Sequence, residues 1–206
     1  MPKAKRIAVI LSGCGHQDGA EITEAVSTLI VLSEAGAQVE IFAPDINFES
    51  RNVLKESARI ARGKIQPLSE LQAKDFDGLA MPGGFGVALV LCDWALKGAK
   101  CSVLPDAERV IKEFHSAEKP IAAICIAPAL VARVLGSEGI TVTIGRDADG
   151  GIANTGAIHE DCAVTDYVTD RDHRIITTPA YMYDDAKPFE VFTGIRAALR
   201  ELVEMA

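Results

Sequence analysis

The segment Ile121-Ala-Ala-Ile-Cys125-Ile-Ala-Pro128 limits the fold more than any other part of the chain. An aliphatic run ends on a cysteine, and the helix-forming stretch Ala129 to Leu135 follows at once, so a buried strand turns directly into a helix. A corner of this kind forces its central residue into a strained backbone conformation. The small residues Ala123 and Ala127, two positions either side, let strand and helix approach closely. The Cys125 thiol then projects over the first turn of the helix, where free N–H groups and the helix dipole favour an anion. A thiolate is the nucleophilic form of cysteine. A buried free cysteine is otherwise an ordinary small core residue, so the corner, not the cysteine alone, is what points to chemistry.

The rest of the chain supplies the frame. Arg6 to Ser12 reads as a buried parallel strand ending at Gly13. Asp18 is placed to cap a helix whose apolar positions Ile22, Val26, Leu29 and Leu32 have helical spacing and which Gly36 ends. Gln38 to Ala43 is the second strand, stopped by Pro44, which completes a βαβ unit. A helix is expected over Ser50 to Arg62, and a short helix opens at the capping box Ser69-Glu-Leu-Gln72. Gly78 to Met81 is a third strand, leading into Pro82-Gly-Gly84. Helices from Val87 and from Pro105 to Ala117, the strand Pro120 to Ile124, and the helix to Leu135 follow. Gly139 to Ile144, Cys162 to Val168 and Arg174 to Thr178 read as late strands, the last two joined by a Thr169–Asp172 turn, and Asp184 to Met205 as a terminal helix. The alternation predicts one domain over 1–206, a three-layer α/β sandwich with a mainly parallel sheet. Ligands in such sheets sit beyond the carboxyl ends of the strands. Three loops fall there: Ser12 to Gly19, Pro82 to Gly86, and the Cys125 corner.

Composition excludes several classes. A net charge of −8 argues against nucleic acid or an anionic membrane as partner. The five cysteines are odd in number and contain no C-x-x-C pair, so neither a disulfide framework nor a zinc finger fits, and a reducing cytosol is expected. The basic stretch Lys3 to Arg6, the apolar Ile7 to Leu11 and Leu11-Ser-Gly-Cys14 imitate a lipoprotein signal. The apolar run is shorter than the roughly 7–15 residues such a core needs, so it is read as strand. No stretch approaches a membrane span, no cluster has metal-ligand spacing, and Gly13-Cys-Gly15 lacks the rest of a dinucleotide fingerprint.

The motifs Gly19-Ala-Glu-Ile-Thr-Glu24, Met81-Pro-Gly-Gly84 and Ile121-Ala-Ala-Ile-Cys125 resemble the PfpI/ThiJ superfamily, relatives of class I glutamine amidotransferases. Ile10-Leu-Ser-Gly-Cys-Gly15, Arg51-Asn-Val-Leu54, Pro82-Gly-Gly-Phe-Gly86, Cys125-Ile-Ala-Pro128 and Thr177-Thr-Pro-Ala-Tyr-Met182 are similar to one branch of it, the enhancing-lycopene-biosynthesis (ElbB) or isoprenoid biosynthesis proteins. The resemblance implies a flavodoxin-like sandwich, usually dimeric, with a reactive cysteine at Cys125 and a carboxylate at Glu24. It also implies oxyanion-binding amides at Gly83, Gly84 and Ile126. Superfamily activities include cofactor-free glyoxalase, deglycation, chaperone-like holding and peptidase. The chain departs from the pattern in one respect: Thr141 to Asp147, where many members carry a histidine, has none. A glutaminase would also want a His-x-Glu pair late in the chain. Thr178-Pro-Ala-Tyr181 occupies that stretch, and His159-Glu160 has the wrong spacing.

These readings converge on a cysteine-dependent, cofactor-free enzyme of small reactive carbonyls, glyoxalase-like, cytosolic and homodimeric. Cys125 is the nucleophile and Glu24 the proton carrier, its carboxyl raised in pKa if buried beside the thiol. Gly83, Gly84 and Ile126 line the oxyanion side, Cys14 lies in the first ligand-facing loop, and His159 and Tyr181 are further candidates. His16, His115 and His173 read as surface residues, and Cys92, Cys101 and Cys162 have no motif support. A non-catalytic redox sensor or binding module, and an amidotransferase-like hydrolase, are the alternatives.

Overall fold

In the computed structural model, which describes residues 4–206, the aliphatic runs become neighbouring strands of one sheet. Lys3, part of the basic stretch, lies outside the described residues. In chain order the elements are β1 (Arg6–Ile10), α1 (Ile22–Glu34), β2 (Gln38–Ala43), a small hairpin of β3 (Asn47–Phe48) and β4 (Arg51–Asn52), and α2 (Val53–Ile60). Then come β5 (Gln66–Pro67), β6 (Gly78–Met81), α3 (Trp94–Lys97), α4 (Pro105–Ser116), β7 (Ile121–Ile124) and α5 (Ala127–Leu135). The chain closes with β8 (Thr141–Val142), β9 (Ile158–His159), β10 (Val168–Asp170), β11 (Ile175–Thr178) and α6 (Pro188–Met205). The main sheet has seven strands in the order β10-β11-β7-β6-β1-β2-β5. Every pairing in it is parallel except the edge pair β10–β11. This is the three-layer α/β sandwich that the alternating pattern predicts, and it is consistent with the flavodoxin-like form that the resemblance implies.

Strands buried on both faces must be aliphatic throughout, because their alternate side chains enter two different cores. In β1, Ala8 and Ile10 join the core that α4 and α5 cover with Val110, Ile111, Phe114 and Leu130. Ile7 and Val9 point the other way, into the core closed by α1 and α6 through Ala25, Val31, Leu32, Ile195 and Leu199. Met81 and Ala80 of β6, and Ala123 and Ile124 of β7, divide in the same manner.

Strand order reverses at β1, which pairs with β2 on one side and β6 on the other. Loops that leave the carboxyl ends of β1 and β6 therefore diverge and open a crevice. The loops after β1, β6, β7 and β11 meet there.

Several expectations are corrected. The cap of α1 is Glu21, whose side chain accepts from the Glu24 amide at 2.7 Å, not Asp18. Asp18 instead pairs with Arg51. The helix expected from Ser50 begins at Val53, because Ser50 lies in the turn of the β3–β4 hairpin and the Asn52 side chain caps α2. Ser69 makes no capping bond, and Leu68–Glu70 is a single 3-10 turn. Val87–Leu91 is a π-helical turn. The strand expected over Cys162 to Val168 is displaced to Val168–Asp170, so the chain reverses at Arg171–Arg174 instead of Thr169–Asp172. α6 starts at Pro188, later than Asp184.

Candidate active site

Cys125 follows the last residue of β7 and holds φ at 62°, the left-handed region that a residue with a Cβ rarely adopts. Two features over-determine that conformation. The Cys125 amide donates to the Thr178 carbonyl at 2.9 Å, which carries the β7–β11 ladder one residue past the strand. Immediately afterwards Ile126 caps α5, with Pro128 in its first turn, where a missing N–H is harmless. The amides of Gly84 and Ile126 lie close enough to the sulfur to favour its anionic form. Only 7% of the residue is exposed, on the floor of an open cleft.

Glu24, in the first turn of α1, is wholly buried. Its Oε2 accepts from the Gly83 amide at 2.9 Å, and its Oε1 accepts a long bond of 3.4 Å from the Tyr181 amide. The carboxyl also lies beside Cys125, close enough for each group to shift the other's pKa. Burial, with the nearby Glu21 carboxylate second, pushes the Glu24 carboxyl up to about 8. Burial and then the Glu24 charge hold the thiol well above its ordinary range, partly offset by the Gly84 amide. At neutral pH the two groups therefore keep both protons, and the first negative charge to appear is shared across the pair.

Glycine makes this closeness possible. A Cβ on Gly83 would stand 2.5 Å from Cys125 Cβ and 2.8 Å from Glu24 Oε2. Gly84, at φ 94°, passes so near the loop after β1 that a Cβ would stand 2.3 Å from the Gly19 carbonyl. Its approach leaves the Gly84 amide free to face the sulfur. The Gly83 amide is occupied by Glu24, so of the expected oxyanion donors Gly84 and Ile126 are the two that meet the thiol.

The cleft above Cys125 has a volume of about 490 Å³. Gly84, Ile126 and Tyr181 line it, as do residues that are not among the candidates: Glu21, Phe85 and Met182, which stand inside motifs that mark other residues, and Trp94 and Asp184, which stand in none. His16, an exposed residue, lies on its rim. Phe85 follows the Pro82-Gly-Gly84 motif directly, a signal that could have found it; Trp94 lies in a segment with no motif. Two candidates fall elsewhere. Cys14 lines a separate shallow depression with Asp18, Phe48 and Arg51. His159 is on β9, where its Nε2 accepts from the Ile144 amide at 3.2 Å and its Nδ1 lies 3.5 Å from Asp161. Neither lines the Cys125 cleft. Among the described residues no group of His, Cys, Asp or Glu is arranged to hold a metal ion, and no helix is long and apolar enough to cross a membrane.

The model of the DJ-1/PfpI family matches residues 5–186. The human "Glutamine amidotransferase-like class 1 domain-containing protein 3, mitochondrial" is 43% identical over 98% of this chain and 84% of its own length. The ES1 protein of Danio rerio, also named as mitochondrial, is 32% identical over 97% of this chain and 85% of its own. Among solved structures, an isoprenoid biosynthesis protein with an amidotransferase-like domain from Ehrlichia chaffeensis superposes with a TM-score of 0.92 at 36% identity, covering 98% and 99% of the two chains. Drosophila melanogaster DJ-1beta, at 21% identity and a TM-score of 0.57, has the same fold.

Proposed function

The chain belongs to the DJ-1/PfpI family, and from that premise we propose that it is a cysteine-dependent, cofactor-free enzyme that converts small 2-oxoaldehydes to 2-hydroxy acids. The observation that carries this reading is the contact of a wholly buried carboxyl, raised to about 8, with the Cys125 thiol at the floor of an open cleft. A carboxyl poised near the working pH is suited to moving protons.

The chemistry balances within the substrate. The Cys125 sulfur forms a bond to the aldehyde carbon, and the thiol proton passes to the aldehyde oxygen. The Gly84 and Ile126 amides hold that oxygen while it is charged. In the hemithioacetal, ionised Glu24 removes the proton from the carbon bound to sulfur and returns it to the neighbouring carbon. The hydroxyl proton on the first carbon's oxygen passes to the former ketone oxygen, so the first carbon is oxidised to a thioester and the ketone carbon reduced to an alcohol, and no external oxidant or reductant is needed. Water then breaks the C–S bond, releasing the hydroxy acid and restoring the thiol.

Membership of the ElbB branch, a link to isoprenoid production, a homodimer and a cytosolic location belong to the same proposal. Support comes from the name of the Ehrlichia protein and, for a reducing compartment, from five free cysteines. A redox sensor is less well supported, because a thiol held in its protonated form oxidises slowly. A glutaminase-like reading loses support from the placement of His159 outside the cleft. The deciding experiment incubates purified protein with methylglyoxal in the absence of glutathione and follows lactate. Turnover by the wild type and none by Cys125→Ala is expected; equal rates would refute the mechanism.

A further inference from the structure

The cleft is much larger than the carbonyl it is proposed to attack. Methylglyoxal is a three-carbon molecule, whereas about 490 Å³ falls within the roughly 300–1,000 Å³ of sites that hold far larger ligands. What fills the excess space is recorded in the walls. Trp94 and Phe85 present aromatic surface, with 51% of Phe85 exposed at the rim, and Met182 adds apolar lining. The charged groups lining the cleft are acidic: Glu21 and the exposed Asp184. Among the described residues no lysine or arginine lines it, and His16 is the one ring there that can take up a proton.

Glu21 is not a loose surface carboxylate. Its Oε2 is fixed by the Glu24 amide at the start of α1, which leaves the side chain anchored between helix and cleft. Lys97, on the same helix as Trp94, is paired with Asp93, and Arg146 stacks over the Tyr183 ring. Gly151 passes close to Trp94, since a Cβ there would lie 3.4 Å from its indole. Aromatic faces beside carboxylates in a partly closed space favour an ammonium group on an apolar stem, through cation–π attraction and direct charge pairing. The same walls repel a carboxylate.

We propose that the cleft selects carbonyl substrates that carry an ammonium group on an apolar stem, with Glu21 and Asp184 taking the charge and Trp94 and Phe85 taking the stem. The reacting end of such a substrate rests on the carbonyl chemistry assigned above; recognition of the charged end does not. The amides of Gly84 and Ile126 receive the carbonyl oxygen, and the acidic rim receives the opposite pole. Anionic carbonyls such as glyoxylate are disfavoured on the same grounds.

The chain contains one tryptophan, and it lines the cleft, so its fluorescence reports occupancy without any reaction. The test titrates wild-type and Cys125→Ala protein with hexylamine, hexanol and hexanoate, three probes of equal stem length that cannot react as carbonyls. Hexylamine is expected to bind at least about tenfold more tightly than hexanoate, with hexanol between them, and the preference to shrink at high ionic strength. In the Glu21→Gln/Asp184→Asn double variant, where the introduced glutamine can still accept the capping bond, the preference is expected to fall below about threefold. Equal affinities for amine and carboxylate, a preference for hexanoate, no fluorescence change with any probe, or an amine preference untouched by the double substitution would each overturn the proposal. Should the amine preference stand while methylglyoxal is not turned over, the carbonyl reaction fails and the recognition site remains. Should lactate form without any amine preference, the converse holds.

Discussion

Cys125 and Glu24 define the site as a pair, and their separate contributions are measurable. The left-handed backbone at Cys125 costs on the order of 1–2 kcal/mol for a residue with a Cβ, and glycine adopts it without that cost. Cys125→Gly is therefore expected to be more stable than Cys125→Ala by about 1 kcal/mol, after allowance for the larger entropy glycine loses on folding. Urea denaturation of the two variants measures it; an alanine variant as stable as the glycine variant would mean the corner is relaxed. For Glu24 the prediction concerns rate. The carboxyl must be ionised to remove a proton from carbon, and its pKa is raised to about 8. So kcat/KM for methylglyoxal is expected to rise as pH increases through about 8 and then level off, and Glu24→Gln is expected to lower it by about 10²- to 10⁴-fold. A profile that is flat from about pH 6 to 9, or a glutamine variant with wild-type activity, contradicts the assigned role.

At the scale of elements, the site depends on how closely the ends of β6 and β7 approach α1. Gly83→Ala places a methyl where Cys125 Cβ and Glu24 Oε2 already stand. It is expected to cost about 1–3 kcal/mol through overpacking and to separate the thiol from the carboxyl. Gly36, at φ 73° with open space around it, is the control: Gly36→Ala is expected to cost only the backbone strain and to leave turnover intact. Thermal unfolding and lactate assays on both variants distinguish local crowding from general loss of stability. The same elements show what a sequence makes legible. β2 and β6 run from Gln38 to Ala43 and from Gly78 to Met81, as their patterns predict: β6 is a fully buried aliphatic run, and β2, half-buried with Glu40 in its middle, is stopped by Pro44. The start of α1 escapes such a reading because the loop before it is folded by distant contacts. Its Gly19 packs under Gly84, and the chain enters the helix three residues after the apparent Asp18 cap. The β3–β4 hairpin, β5 and β9 are two residues each, too short for any periodicity to register. Cys125, Glu24 and Gly84 are legible because a motif carries each. Trp94 and Asp184 are not, because a cleft wall is assembled from separate loops and leaves no local pattern, and Glu21 and Met182 stand inside motifs that single out other residues. Cys14, one residue beyond Gly13 in the loop after β1, looks equivalent to the site residues in sequence, yet the backbone there turns it into a different depression.

For the molecule as a whole, a buried carboxyl with a raised pKa makes stability depend on pH. Unfolded Glu24 ionises near its ordinary value of 4.5, whereas in the fold it ionises near 8. Between those values the folded state binds a proton that the unfolded state has released, so stability falls as pH rises. Below about 4.5 both states are protonated and above about 8 both are ionised, and the contribution is level in each range. The loss from this one group approaches about 1.4 kcal/mol per pH unit in the middle of the window, before other groups are counted. A neutral side chain of the same shape has no such dependence. Glu24→Gln is accordingly expected to unfold at a higher temperature than wild type at about pH 8.5 and to lose most of that advantage at about pH 4.5, with the difference opening progressively between. Paired thermal melts at about pH 4.5, 6, 7 and 8.5 measure the window directly. If the two proteins run parallel across it, Glu24 is ionised in the fold from the outset, and the raised pKa from which the rise of turnover through about pH 8 is expected does not exist.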